Sequence, residues 1–470
     1  MDSPTCCSKK KSSNFLAWFL WPLPVSEFFS HYFEQKTFAA KKKIPDYWTG
    51  WCSSAQLEKN IRDDAIWPED AEFYFYSSGQ RFCIAPSDRQ NARSDALWEL
   101  FETSRLSVKI QRAHQYFENV QRMLSLLEEA LLLNLSCEAF YVPSGAQASA
   151  PKRDETDSFF LIVEGSIQCN LYGAPDKTKS PPLRDSDPSV QTNEFGEPST
   201  NTSLNAGDIL YLPRGTIYEI HSHPELQSSL YLVISLSSNF TWTDFLQAAV
   251  LGALNHANST YPEFRKTLPK GYANYVGVMH SDLKHSEKRK AFLTKAMALC
   301  KVLCEKALMK PSQFDDAADQ MMRQFLRDRQ PPQLLLSKYE QGFDSCDAPY
   351  SSTSSTHDRT PDNPRHPPEQ ETPPDVTEST KFRLVTRHCL RLVIETNALV
   401  YYTSPPTDED PSHPSKEKKI EMPIEYAEAI DYLWKTYPKY VRVDELPLEH
   451  EEQRIELASE LLDKQIAMVE

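Results

Sequence analysis

The chain has 470 residues, a formal net charge of -15, 12 glycines and 34 prolines. Its length allows roughly two to four domains, and the acidic balance argues against a protein that binds nucleic acid over its whole surface. The few glycines form neither G-x-G-x-x-G nor G-x-x-x-x-G-K-[ST], which excludes nucleotide sites of the Rossmann and P-loop types.

The N-terminal segment places Lys9 to Lys11 before an apolar stretch from Phe15 to Val25. That order is typical of a secretory signal peptide. Pro22 and Pro24 interrupt the stretch, however, and an amphipathic helical pattern continues from Glu27 to Phe33. We therefore interpret the segment as the start of a folded region. No other part of the sequence has the ~18 uninterrupted apolar residues of a transmembrane helix.

Helical and β patterns follow in turn. Apolar residues recur at helical spacing between Leu97 and Leu135, which predicts a helix of about 15 to 20 residues near the end of that region. Three short apolar runs predict β-strands, at Phe159 to Val163, Ile209 to Leu212 and Leu230 to Ser235. The polar segment 173–205 predicts a long surface insertion. Compact strands separated by turn residues indicate a small β-barrel or jelly roll.

The C-terminal half begins with helices, from Trp242 to Arg329, whose apolar faces either cap the barrel or pair with a second copy of the chain. Cys300 and Cys304 lie one turn apart there, and we interpret them as buried thiols rather than metal ligands. Residues 331–380 are predicted to be a linker, largely disordered from 346. The last unit, 381–470, predicts two strands and two or three helices, one of them from 452 to 468.

Five blocks of sequence carry a resemblance that spans nearly the whole chain apart from the linker. In chain order they are Asn14 to Gln35 with Tyr47-Trp48, Leu97 to Phe101, Gln147 to Tyr172, Gly207 to Thr216, and Tyr437 to Val443. Together they resemble the JmjC-domain ribosomal oxygenases, the family that contains the bifunctional lysine-specific demethylase and histidyl hydroxylase.

The resemblance implies an α+β fold built around a JmjC double-stranded β-helix, a cupin-like jelly roll. The implied domains are a helical lead-in (1–135), the JmjC core (136–240) with its insertion (173–205), a helical dimerisation region (241–330), the linker (331–380) and a winged helix (381–470). It also implies Fe(II) and 2-oxoglutarate as cofactors, a homodimer, and ribosomal-protein or histone partners. A nuclear location follows, with the nucleolus as one candidate compartment.

The family's iron positions are substituted in this chain. Family members hold Fe(II) with an H-x-D pair and a distal histidine on a facing strand. Here Lys152 and Tyr218 stand at the two histidine positions, and Asp154 is retained. An ammonium group has no acceptor, and a phenol with an ordinary pKa near 10 is a poor Fe(II) ligand. We expect Lys152 to donate a hydrogen bond to Asp154 and to replace part of the metal charge.

The family's 2-oxoglutarate positions are also substituted. The lysine that pairs with the distal carboxylate of the cosubstrate corresponds to Ile167, and its basic neighbour corresponds to Ser166. The pocket tyrosine and the adjacent asparagine correspond to Phe140 and Glu138. Neither an isoleucine nor a phenylalanine side chain can hydrogen-bond a carboxylate. We therefore expect Fe(II) and 2-oxoglutarate to bind weakly or not at all.

Three hypotheses follow. The first is a catalytically silent protein, without an assigned catalytic residue, that binds ribosomal or chromatin proteins. The second is an active dioxygenase with a rearranged iron site of Asp154 and either His221 or His223. The odd offsets of these histidines from Tyr218 point to the opposite strand face unless a bulge intervenes. The third is a cupin-like binder of a small ligand.

Two other groups of charged residues have simpler interpretations. Glu155 and Asp157 resemble the acid cluster of a hydrolase, but we interpret them as solvated carboxylates. The last unit has a basic side, whose effect is opposed by an acidic tail, so that direct binding to DNA is not expected. The basic residues are Lys381, Arg383, Arg387, Arg391 and Arg442.

Overall fold

The computed structural model describes residues 15–63, 70–77, 80–83, 98, 101, 103, 105–172, 196–224, 227–282, 286–332, 376–403 and 417–470. Its contacts divide the chain into two compact units, residues 239–326 and the remainder. The predicted disordered segment lies outside the described residues apart from 376–379. Among the described helices, none is long and apolar enough to cross a lipid bilayer.

Twelve strands form the core of the first unit. They are β1 (Phe38–Ala40), β2 (Ala71–Ser77), β3 (Gln80–Cys83), β4 (Ser107–Ile110), β5 (Leu135–Val142), β6 (Gln147–Arg153), β7 (Ser158–Glu164), β8 (Ser166–Tyr172), β9 (Thr200–Asn205), β10 (Ile209–Leu212), β11 (Ile217–Ser222) and β12 (Ser229–Leu236). Eight strands pair in the order β1-β10-β7-β12-β5-β4-β2-β3, and four in the order β6-β11-β8-β9. Apolar side chains from both sheets pack in one core, so the predicted jelly-roll class is confirmed.

Strand β7 shows why its sequence is continuously apolar. Phe160 and Ile162 pack in the core between the two sheets. Phe159, Leu161 and Val163 point to the other side of the larger sheet and pack against the N-terminal region. Both faces of the strand are therefore covered, which removes the usual alternation of apolar and polar residues. The strand predicted at this position is confirmed.

The N-terminal region differs in part from the predicted helical lead-in. Residues 15–20 are helical, followed by α1 (Val25–His31), α2 (Ser54–Arg62) and α3 (Glu118–Leu131). The region also supplies β1 to β4 of the larger sheet. Helix α3 has 14 residues, slightly fewer than predicted, because Leu132 takes a left-handed conformation at its end.

The prediction of a surface insertion at 173–205 is wrong for its last six residues. Residues Thr200–Asn205 form β9, which pairs with β8 from Ser166 to Leu171. The polar composition of this segment is compatible with a strand because β9 is an edge strand of the smaller sheet. Residues 173–195 lie outside the described part of the chain.

The second unit contains α4 (Trp242–Thr260), α5 (Glu287–Val302) and most of α6 (Pro311–Asp328), with a π-helical turn at Leu303–Leu308. Small residues on α4 and the π-helical turn pack together, among them Ala253, Ala257 and Ala307. The prediction that Cys300 and Cys304 are buried is wrong, since both thiols are exposed. Helix α5 buries none of its residues within the unit. The apolar residues around Cys300 therefore do not indicate that this part of the helix is buried.

The C-terminal region 381–470, which we continue to call the last unit, belongs to the first compact unit and contains more strands than predicted. Its elements are β13 (Lys381–Leu384), β14 (Leu390–Ile394), β15 (Ala398–Tyr402), β16 (Lys419–Met422), α7 (Ala427–Thr436), β17 (Val441–Arg442), α8 (Glu451–Asp463) and β18 (Ala467–Val469). The six strands form two three-stranded sheets, where two strands were expected. The helix predicted to reach Met468 ends at Asp463, because Gln465 has a φ of 58° and the following residues pair with β13.

Candidate functional site

A pocket of about 400 Å³ opens between the two sheets of the jelly roll. We call it the mouth pocket. Strands β5, β7 and β12 of the larger sheet and β6 and β11 of the smaller sheet contribute its lining residues. They are Ser136, Glu138, Phe140, Ser149, Lys152, Arg153, Asp154, Glu155, Thr156, Phe160, Tyr218, Ile220, Tyr231, Val233 and Ser235. The three predicted iron-position residues therefore line one cavity.

Lys152, Asp154 and Tyr218 form a hydrogen-bonded set in this pocket. Tyr218 on β11 is the register partner of Lys152 on β6, which places both side chains on the same face. Lys152 Nζ lies 3.0 Å from Asp154 Oδ1. The Tyr218 hydroxyl donates to Asp154 Oδ2 at 2.5 Å. Both carboxylate oxygens are thus engaged, and the predicted hydrogen bond from Lys152 is confirmed.

The charges of this set do not suit a divalent metal. Burial, together with the adjacent Asp154 carboxylate, raises the pKa of Tyr218 well above its ordinary value. Its hydroxyl therefore stays protonated at neutral pH and acts as a donor. The lysine ammonium is likewise a donor without a lone pair. Within the described residues, no three His, Cys, Asp or Glu side chains are grouped so that they could share a metal ion. The residues present do not fit Fe(II).

The two nearby histidines are placed away from this set. Tyr218 and Ile220 point into the core between the sheets, so Glu219 and His221 point outward. His221 Nε2 lies 3.0 Å from Glu219 Oε1. The pairing of β11 with β6 does shift register beside Ile220, but the pairing with β8 stays regular. His223 follows the end of β11, where its backbone N–H donates to the Ser166 carbonyl.

The residues at the positions that correspond to 2-oxoglutarate contacts interact with neighbouring side chains of this chain. Phe140 stacks on Tyr231 with ring centres 5.1 Å apart. Ile167 is fully buried between the sheets. Glu138 is held by Lys109, with 2.7 Å between Glu138 Oε1 and Lys109 Nζ. The sequence analysis did not identify Tyr231 as a lining residue of the mouth pocket. The apolar run of β12, which contains Tyr231, was the signal that could have indicated it.

The interpretation of Asp157 as a solvated carboxylate is wrong. Asp157 is 5% exposed and accepts a hydrogen bond from the Tyr211 hydroxyl at 2.5 Å. Arg214 Nε lies 3.8 Å from its other oxygen. Burial raises the pKa of Asp157, and these two partners act in the opposite direction. The residue fixes one end of β10 to β7, whereas Glu155 lines the mouth pocket.

Four of the five basic residues of the last unit contact aromatic rings or carboxylates of the same unit. The Arg387 guanidinium lies 4.3 Å from the centre of the Trp434 ring, and Arg383 lies 5.1 Å from that of Tyr440. Arg442 pairs with Asp444, and Lys381 Nζ lies 2.7 Å from Glu470 Oε2. Arginines that stack on aromatic rings and pair with carboxylates stabilise the domain and leave less positive charge for a phosphate backbone.

Two family models match the sequence. One is described as a JmjC domain and covers residues 111–241. The other is described as the C-terminal winged helix domain of ribosomal oxygenase 1 and covers residues 356–470. The second match identifies the last unit as a winged helix domain, as predicted from the sequence.

Relatives resemble the chain over nearly its whole length. "Bifunctional lysine-specific demethylase and histidyl-hydroxylase NO66" of Dictyostelium discoideum is 28% identical over 97% of this chain and 82% of its own. Ribosomal oxygenase 1 of Gallus gallus is 28% identical over 98% and 72%. The solved structure of YcfD, a ribosomal oxygenase from Escherichia coli, has 13% identity and a TM-score of 0.48 over 96% of this chain and 98% of its own. The chain therefore contains a JmjC domain and a winged helix of the ribosomal oxygenase 1 type, and it is similar over nearly its whole length to ribosomal oxygenases.

Proposed function

We propose that this chain is a catalytically silent member of its family that acts by binding other proteins. The observation that carries the proposal is the set of Lys152, Asp154 and Tyr218. A metal at Asp154 would have to displace both the ammonium and the phenol hydroxyl from the carboxylate. The ammonium would also repel a divalent ion at close range. The jelly roll and the winged helix remain as binding surfaces.

Iron content and cosubstrate turnover test this proposal. We expect the purified chain, incubated with Fe(II), to retain no stoichiometric iron and to release no succinate from 2-oxoglutarate. The Lys152→His/Tyr218→His double variant restores both imidazoles and should gain Fe(II) affinity. Lys152→Met/Tyr218→Phe is its matched control, because it also removes both polar groups but supplies no ligand. Stoichiometric iron with succinate release from the unaltered chain would overturn the proposal.

We also propose that the chain is a homodimer through its second unit. Support comes from large apolar side chains that this unit leaves exposed, an arrangement typical of interaction surfaces. Six examples are Trp242, Leu251, Val278, Met279, Met297 and Met309. The name ribosomal oxygenase 1 of the relatives supports ribosomal proteins as further partners. We propose histones as alternative partners and a nuclear location with them, which imaging of the tagged chain would test.

A further inference from the structure

A second cavity, of about 470 Å³, lies on the other side of the larger sheet from the mouth pocket. Side chains alternate along β5, so Glu138 and Phe140 face the mouth pocket while Tyr141 faces the second cavity. Trp98, Phe101 and Arg105 also line the second cavity. We call it the aromatic cavity. The family resemblance assigns no role to it.

One wall of the aromatic cavity consists of three nearly parallel rings. The ring centres of Trp98 and Phe101 are 5.2 Å apart, those of Phe101 and Tyr141 are 4.5 Å apart, and those of Trp98 and Tyr141 are 5.8 Å apart. The angles between the ring planes are 22°, 15° and 9° in the same order. Such a wall is suited to a flat apolar group, which gains both burial and ring contacts.

Two hydrogen-bond donors of the cavity lining have unused capacity. The Trp98 indole N–H is buried and has no partner within the described residues. An indole N–H can only donate, and buried donors without an acceptor are rare in native proteins. The exposed Arg105 guanidinium donates to the Ser144 carbonyl, and no other hydrogen bond or ion pair of its side chain is found in the described part of the chain. A guanidinium carries five donors.

The backbone at Arg105 is also unusual. Its φ of 55° lies in the left-handed region, which a residue other than glycine adopts at an energetic cost. Strain of this kind concentrates at functional sites, where it fixes the direction of a side chain. Five other described non-glycine residues also have a positive φ, so this conformation fixes the backbone at Arg105 but does not by itself assign a role to its side chain.

The charged acceptor of the same lining, Glu58, already has a partner. Glu58 Oε1 accepts a hydrogen bond from Arg62 Nε at 2.8 Å, so that its charge is paired with a cation outside the cavity lining. Burial raises the pKa of the Tyr141 hydroxyl, so this group stays protonated at neutral pH and is a donor rather than a charged acceptor. A ligand must therefore bring an acceptor to Trp98 and Arg105. Because Arg105 is a permanent cation, an anionic acceptor is favoured.

We propose that the aromatic cavity binds a carboxylate carried on a flat aromatic group. The ring of the ligand packs on the wall formed by Trp98, Phe101 and Tyr141, and its carboxylate accepts hydrogen bonds from Arg105 and the Trp98 N–H. A free aryl carboxylate and a peptide that ends in an aromatic residue present the same chemistry. The proposal is independent of the metal chemistry of the mouth pocket.

Calorimetric titration of the full chain tests the site with three probes: phenylacetate, a Gly-Gly-Phe peptide with a free carboxylate, and the same peptide amidated. We expect phenylacetate or the free peptide, or both, to bind, and the amidated peptide to bind at least about tenfold more weakly than the free one if the free peptide binds. Binding of phenylacetate alone would identify a small molecule as the source, and tighter binding of the free peptide would identify a protein terminus.

Two variants locate the binding. Trp98→Phe keeps the ring but removes the N–H, and Arg105→Asn removes the cation with a residue that accepts the left-handed conformation. Each should weaken binding about tenfold, while Trp242→Phe and Lys152→Met should leave it unchanged. Thermal unfolding shows whether each variant folds. If Trp98→Phe does not fold, the binding measured for Arg105→Asn alone tests the proposal. The proposal is overturned if no carboxylate probe binds, or if these variants bind as the unaltered chain does.

Discussion

At the scale of single residues, Asp154 carries the polar interactions of the mouth pocket. Asp154→Ala removes the acceptor of the buried Tyr218 hydroxyl, and an unsatisfied buried donor costs about 1–3 kcal/mol. Tyr218→Phe removes the donor and leaves Asp154 with Lys152, so we expect a smaller loss of about 0.5–1.5 kcal/mol. Urea unfolding at pH 7 measures both.

The double variant, Asp154→Ala/Tyr218→Phe, is the control for this comparison. Because the two residues are in contact, its loss should be smaller than the sum of the single losses. Strict additivity, or a larger loss for Tyr218→Phe than for Asp154→Ala, would contradict the hydrogen-bond arrangement.

Lys42 is a second residue whose burial has a measurable consequence. Its side chain is 3% exposed, with Nζ 3.0 Å from the Phe19 carbonyl and 3.6 Å from the centre of the Tyr47 ring. Burial lowers the pKa of Lys42 to about 6, and Asp208 acts weakly in the opposite direction. Between pH 6 and about 10.5 the unfolded chain therefore binds a proton that the folded chain does not, so this group makes stability rise with pH.

Lys42→Met keeps the apolar stem and removes this titration. Between pH 7 and pH 9, we expect the free energy of unfolding of the variant to rise less steeply than that of the unaltered chain, by up to about 1.4 kcal/mol per pH unit. Urea unfolding across the pH series measures the two slopes. Lys41→Met, at an exposed neighbour, should keep the original slope. Identical slopes for all three proteins would show that Lys42 does not titrate in this window.

At the scale of secondary-structure elements, helix α3 connects the jelly roll to the winged helix through Glu129. Glu129 Oε2 lies 3.0 Å from Arg329 Nη1, and Oε1 lies 2.8 Å from His388 Nδ1. The Arg329 side chain is fully buried. Removal of one partner from a buried ion pair is costly, so we expect Glu129→Ala to lose about 3–5 kcal/mol of stability. Thermal and urea unfolding measure this loss.

The same helix offers a matched control and a pH dependence. Glu118 pairs with Arg122 but is mostly exposed, so Glu118→Ala should cost about 0.5 kcal/mol or less. The hydrogen bonds and charges of His388 and Arg329 outweigh burial and lower the pKa of Glu129 to about 2. Its contribution is therefore complete above about pH 4.5 and is lost as the pH falls toward 2. Equal losses for the two variants would contradict the role of Glu129.

At the scale of the whole molecule, the proposed homodimer predicts a mass near twice that of the chain in light scattering. Leu251 is 53% exposed on α4, and Leu251→Glu would place a charge in an apolar interface, so we expect a monomer with an unchanged circular dichroism spectrum. Ile394→Glu is the matched control, because Ile394 is 57% exposed in the winged helix. A monomeric unaltered chain, or loss of the dimer in the control, would contradict the proposal.

Much of the fold could be predicted from local patterns. The apolar run of β7 predicts a strand covered on both faces, and the i, i+2 spacing of Lys152 and Asp154 places their side chains on one side of an extended segment. The resemblance supplies the JmjC core and the winged helix. Local patterns are less informative in the last unit, where β18 resembles the end of a helix until its pairing with β13 is known.

The sequence by itself determined which chemical groups are present at the iron positions: one carboxylate, one ammonium and one phenol. Only the tertiary structure decided their contacts, since Tyr218 meets Asp154 across 64 residues of sequence and His221 turns outward to Glu219. It also decided that Asp157 is buried and that Cys300 is exposed. The physical reason is that spacing along the chain sets which side chains share a face, whereas burial and partners depend on strand register and on the surfaces that distant segments cover.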